Sequence, residues 1–160
     1  MDYGKLLDVC GGRATRILLS FLVLALPLPA MAVLGDTAAS VLTDQARMKG
    51  TLHSVDARTY VVHEIVVPTG TIVREMVSPA GAVFGVAWEG QFPPDLRQLM
   101  GPYYDQAKQA AAQQPRRGRV PLAVDTPGLV VHQTGHMRSY RGQAYIPQLV
   151  PQGIQSSDIR

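Results

Sequence analysis

Two short stretches, "VPTGT" at 67–71 and "SPAGA" at 78–82, share one turn grammar and constrain this chain's fold more than any other feature. Each places Pro first in the turn and Gly third. Pro presets φ for the first turn position, and Gly accepts the left-handed conformation of the third. Together they specify a three-residue hairpin loop, a type I turn closed by a bulge. Apolar and β-branched residues flank both turns. The spacing therefore predicts a three-stranded antiparallel meander over about residues 59–89, with loops at 68–70 and 79–81.

Loop length fixes register, because a slip of one residue turns every side chain to the opposite face. Counting back from the turns puts Glu64 opposite Arg74 and His63 opposite Glu75, then Arg74 opposite Val86 and Glu75 opposite Gly85. On that count Met76, Phe84, Val86 and Trp88 share the face of Glu64 and Arg74. Ile65, Val73, Val77, Val83 and Ala87 share the face of His63 and Glu75. Both faces are apolar with one polar pair each, so both are expected to be covered.

Two readings of the pairs stand side by side. Structurally, they are cross-strand ion pairs that hold register, each worth about 0.2–1 kcal/mol if exposed. Functionally, His63 and Glu75 form an acid–base couple, while Glu64 and Arg74 bind a substrate carboxylate. Structure is the preferred reading, because no nucleophile or metal cluster accompanies the pairs.

Around the meander the pattern turns helical. Ala38, Val41, Leu42 and Met48 recur at helical spacing after Asp36, a candidate cap, and before Gly50, a candidate stop. Beyond Pro93–Pro94, Leu96, Leu99, Met100, Tyr103 and Ala107 form a second stripe, divided or kinked at Gly101–Pro102. A polar, basic connector follows at 114–119. Short strands come after it, broken at Thr134–Gly135 and Arg141–Gly142. Strands, a helix and more strands argue for an α+β domain with a mainly antiparallel sheet, packed with two amphipathic helices.

The first 32 residues read as an export signal. Lys5, Arg13 and Arg16 precede the apolar run "ILLSFLVLALPLP", and Ala30-Met31-Ala32 offers small residues at both positions of a cleavage site. The expected mature chain starts at Val33, with one domain over 33–150 and a flexible tail over 151–160. An uncleaved anchor is the alternative, but Pro27 and Pro29 break the end of the run. Cleavage removes Cys10, the only cysteine, and leaves a disulfide-free domain suited to a periplasm or outer surface. It also removes three of 15 basic and two of 12 acidic residues, leaving 12 against 10. That balance gives no reason to expect nucleic acid.

Other chemistries find little support. His132 and His136 are separated by the expected Thr134–Gly135 turn, and no thiolate is present to complete a zinc site, so no metal or cofactor is expected. There is no G-x-S-x-G, phosphate loop or dinucleotide fingerprint. Trp88 reads as core rather than ligand platform. In "HMRSYRGQAYIP", Arg138 and Tyr140 alternate cation and aromatic, which suits a partner surface or a charge-protected edge strand.

Three segments, "DTAASVLTDQARMKGTL", "VHEIVVPTGTIVREMVSPAGAVFGVAWEGQFPPDLRQLMGPYY" and "GHMRSYRGQAYIPQLVP", resemble a family of small exported bacterial proteins, the domain of unknown function 2844. The resemblance implies export and carries over no catalytic residue. The expectation is a non-catalytic binding module of the cell envelope, engaging an envelope protein or a small ligand. Candidate binding residues are Glu64, Arg74, Trp88, Arg138 and Tyr140. An envelope hydrolase or processing enzyme using His63 and Glu75 is the alternative. A membrane-tethered accessory subunit is the third possibility, if the signal is retained.

Overall fold

The computed structural model describes residues 34–113 and 122–160. The expected export signal and cleavage site, and the connector at 114–119, lie outside the described residues. The elements in chain order are α1 (Ser40–Met48), β1 (Thr51–Ala57), β2 (Tyr60–Val66), β3 (Ile72–Val77) and β4 (Val83–Gly90). Then come α2 (Leu96–Met100), α3 (Pro102–Gln113), β5 (Leu122–Thr126), β6 (Leu129–His136) and β7 (Ser139–Tyr145). All seven strands form one antiparallel sheet in the order β1-β2-β3-β4-β7-β6-β5, so the fold is α+β with an antiparallel sheet.

The turn chemistry acts as its residues dictate. Gly70 and Gly81 take φ of +83° and +81°, and their amides donate to Val67 and Ser78 carbonyls at 2.8 Å each. A Cβ on either glycine would meet nothing within 4 Å. Gly81→Ala therefore carries only the cost of a left-handed backbone, about 1 kcal/mol, read as a lowered urea midpoint with unchanged slope.

Beyond the second turn the ladder departs from the simple count. Val77 pairs with Val83, but Met76 pairs with Gly85, so Phe84 is an extra residue on β4. This bulge moves every later partner by one: Arg74 faces Ala87 and Glu75 faces Val86. Val86 and Trp88 therefore sit on the face of Ile65, Val73 and Val77, contrary to the count from the turns. Phe84 stays with Met76 on the other face, and Ala87 joins it there.

The helices cover the first of these faces. Ser40, Val41 and Asp44 are the buried residues of α1, whereas Leu42, expected in the buried stripe, is 60 % exposed. Asp36 does not cap α1: its carboxylate accepts from the Thr37 amide, and the N-cap position is Ala39. Asp95 does cap α2, accepting from the amides of Arg97 and Gln98 at 2.9 and 3.2 Å. Gly101 divides α2 from α3, as the sequence suggests.

The breaks in the last three strands fall elsewhere than expected. They lie at Pro127–Gly128 and Met137–Arg138, and Gly142 is inside β7. Glycine is needed there because a Cβ would enter the Trp88 ring. Thr134–Gly135 likewise sits within β6, so His132 and His136 share a strand. Residues 151–160, read from sequence as a tail, bring Ile154 and Ile159 against Met76, Phe84 and Tyr145. They cover one end of the second face and leave Glu64, Arg74, Gln143 and His132 partly exposed.

Candidate functional site

The register lays a polar row across the second face beside this cluster. In order from β2 to β6 it reads Glu64, Arg74, Ala87, Gln143 and His132, each opposite the next. A second row beside it reads Ile72, Glu89, Arg141 and Thr134. Side chains two residues apart on one strand share a face, so the two rows form a single surface.

Ion pairs stitch the rows together. Arg74 Nε donates to Glu64 Oε2 at 2.9 Å, and Arg74 Nη2 to Glu89 Oε1 at 3.2 Å. Arg141 Nη2 donates to Glu89 Oε2 at 3.0 Å. Glu89 thus bridges two guanidiniums. The Arg74 hydrogen bond first, and then the charges of both arginines, hold its carboxyl below the usual range. Farther along, His132 Nε2 and Asp125 Oδ1 lie 2.9 Å apart.

Because Ala87 is small, the row dips at its centre. The dip is a groove of about 580 Å³ whose lining includes Arg74, Ala87, Glu89, Arg141, Gln143 and Arg160. A second hollow of about 360 Å³ shares Glu89 and Arg141 with it and adds Arg138 and Tyr140. Of the residues expected to bind, Arg74 therefore lines one hollow, Arg138 and Tyr140 line the other, and Glu64 is ion-paired to Arg74. Trp88 borders the groove but is 1 % exposed, packed among the helix-face residues and out of a ligand's reach.

The other polar pair has a different fate. His63 and Glu75 lie opposite each other but do not form an ion pair. His63 Nδ1 is 2.8 Å from Ser54 Oγ, and burial lowers its pKa. Glu75 turns instead to Asp44 of α1, and both are 1 % exposed. Gln98 of α2 donates to Asp44 Oδ1 at 2.6 Å. Among the described residues, no N–H or hydroxyl donor reaches either Glu75 oxygen. Burial and the neighbouring Asp44 charge both favour a proton on Glu75. Burial, followed by the Asp44 charge, pushes Glu75 up to about 8. Burial pushes Asp44 up to about 6, against the pull of the Gln98 hydrogen bond. Glu75, one half of the alternative acid–base couple, is thus 1 % exposed and turned to Asp44 rather than ion-paired with His63.

Sequence reasoning missed Asp44, Gln98, Glu89 and Gln143, and set His132 aside. Asp44 carried a signal: it falls three residues after Val41 and four before Met48, on the apolar stripe itself. Glu89 and Gln143 carried none until the bulge and the β4–β7 pairing were known. Among the described residues no group of three potential metal ligands comes together.

The molecule is thus a single antiparallel sheet with helices on one face and an arginine-lined groove on the other. The chain belongs to the family described as protein of unknown function, DUF2844, whose model matches residues 30–159. No curated protein and no solved structure matches it.

Proposed function

We propose that this chain is an exported, non-catalytic binding module of the cell envelope, and that the groove over Ala87 is its binding surface. In this reading the meander over about residues 59–89 is the scaffold that holds Glu64, Arg74 and Glu89 in place. The observation that carries the proposal is the braced arginine pair. Arg74 and Arg141 are both fixed by Glu89 at the edge of a 580 Å³ hollow, a size suited to a small ligand. The basic leader, apolar run and A-x-A site support export. The sealing of Glu75 lends nothing to a hydrolase.

Fractionation tests both parts. Protein recovered from the periplasm is expected to begin at Val33 on N-terminal sequencing. A small molecule retained by it through gel filtration is expected to appear, unchanged in mass, by mass spectrometry. Arg74→Ala/Arg141→Ala protein should retain at least tenfold less. Retention of a chemically altered molecule would defeat the non-catalytic reading, and recovery of uncleaved chain in the cytoplasm would defeat export.

A further inference from the structure

We infer that the groove takes a small anionic ligand bearing carboxylate groups, an assignment that rests on the binding reading above and narrows it. Among the described residues, Glu89 is the one acidic side chain lining either hollow, against Arg74, Arg138, Arg141 and Arg160. The surface therefore has an excess of fixed positive charge that its own lining does not neutralise. Glu64 lies outside the lining and engages Arg74 through Nε.

The donors that remain are placed for an oxyanion. Arg74 spends Nε and Nη2 on Glu64 and Glu89, and Arg141 spends Nη2 on Glu89, so each guanidinium keeps one Nη with no ion-pair partner among the described residues. Gln143 stands opposite Ala87, and its amide adds a neutral donor on the far side of the dip. Arg160 closes one end, carried there by Ile159, which is 1 % exposed among the side chains of the second face.

Glu89 shows what these arginines accept. Its two oxygens reach one guanidinium each, the arrangement a ligand carboxylate needs when it bridges two cations. It is also a built-in competitor. A ligand carboxylate in the groove shares Arg74 and Arg141 with a charge of its own sign, so neutralising Glu89 should favour the ligand. A structural salt-bridge network predicts the reverse, since loosening the arginines would only blur the site.

The test is a nuclear magnetic resonance titration of the protein as the producing cell processes it, with citrate, inorganic phosphate and the neutral sugar maltose as probes. Citrate is expected to shift the Gln143 side-chain amide and the Ala87 backbone amide, more weakly as salt is added. Arg141→Gln should weaken citrate binding about tenfold or more, and Glu89→Gln should tighten it several-fold. Both variants must keep the dispersed amide spectrum of the parent. Absence of citrate shifts overturns the assignment. So does citrate binding that Arg141→Gln leaves unchanged, or that Glu89→Gln weakens. Phosphate binding as tight as citrate overturns the carboxylate preference. Arg141-dependent shifts with maltose alone overturn the anionic class while leaving a binding groove intact. Silence with all three probes, joined to no molecule retained on fractionation, defeats both readings.

Discussion

Glu75→Gln raises the thermal midpoint of the protein at pH 8 and flattens its dependence on pH. The reason lies in the sealed pair beneath α1. Glu75 and Asp44 are both buried, and among the described residues no donor reaches the Glu75 oxygens. Their folded pKa values, about 8 and about 6, lie above the ordinary 4.5 and 3.8. A carboxyl raised in this way binds its proton more tightly when folded than when unfolded. Its stabilisation is therefore full below the ordinary carboxyl range and is lost as pH climbs towards 8. In that window each such group costs on the order of 1 kcal/mol per pH unit. The substituted amide keeps the shape of the glutamate, holds no titrating proton and donates to Asp44, as Gln98 already does. The expected gain at pH 8 is about 1–3 kcal/mol, or several degrees in midpoint, shrinking towards pH 4. Thermal melts of parent and variant from pH 4 to 9 check it. A variant less stable than the parent at pH 8, or with the same pH slope, would show that the pair does not govern alkaline stability.

Gly142→Ala is expected to be strongly destabilising. The added carbon would lie within the surface of the Trp88 ring and 2.9 Å from the His132 carbonyl oxygen. Trp88 cannot retreat, since it is 1 % exposed and packed under the helices. Overpacking of this kind costs about 1–3 kcal/mol, and the nearby backbone oxygen places this case at the upper end. Trp88→Phe removes the ring atoms that a Cβ would strike. It also removes an indole N–H that is buried without a partner among the described residues. In a double-mutant cycle, Gly142→Ala should therefore cost at least about 1 kcal/mol less in the Trp88→Phe background. Equal cost in both backgrounds, measured by urea denaturation, would place the strain at His132 instead.

Local chemistry made part of this architecture legible. The paired Pro-x-Gly turns led directly to Glu64 opposite Arg74 and His63 opposite Glu75, because loop length sets register over a few residues. The same count failed one strand later. Phe84 bulges out of the ladder, and nothing in "GAVFGVAW" distinguishes that from regular alternation. The error carried Val86 and Trp88 to the wrong face and hid the dip at Ala87. Helical spacing located α1 but not its rotation: Leu42 is turned outward and Asp44 inward, because Glu75 and Gln98 offer Asp44 a polar niche in the interior. The groove was the least legible feature. Glu89 and Arg141 are 52 positions apart in sequence, and only the β4–β7 pairing brings them together.

That pairing also has a consequence for how the molecule comes together. Strands β1 to β4 assemble from neighbours along the chain, and so do β5 to β7, but the joint between β4 and β7 must be found across a long stretch of sequence. Such distant encounters are slow, so closing this seam is expected to limit the rate of folding. Arg74 and Glu89 lie on one side of the seam and Arg141, Gln143 and His132 on the other. Neither half alone possesses the groove, so on the proposed reading a bound guest would act as a rivet through the joint and retard its opening.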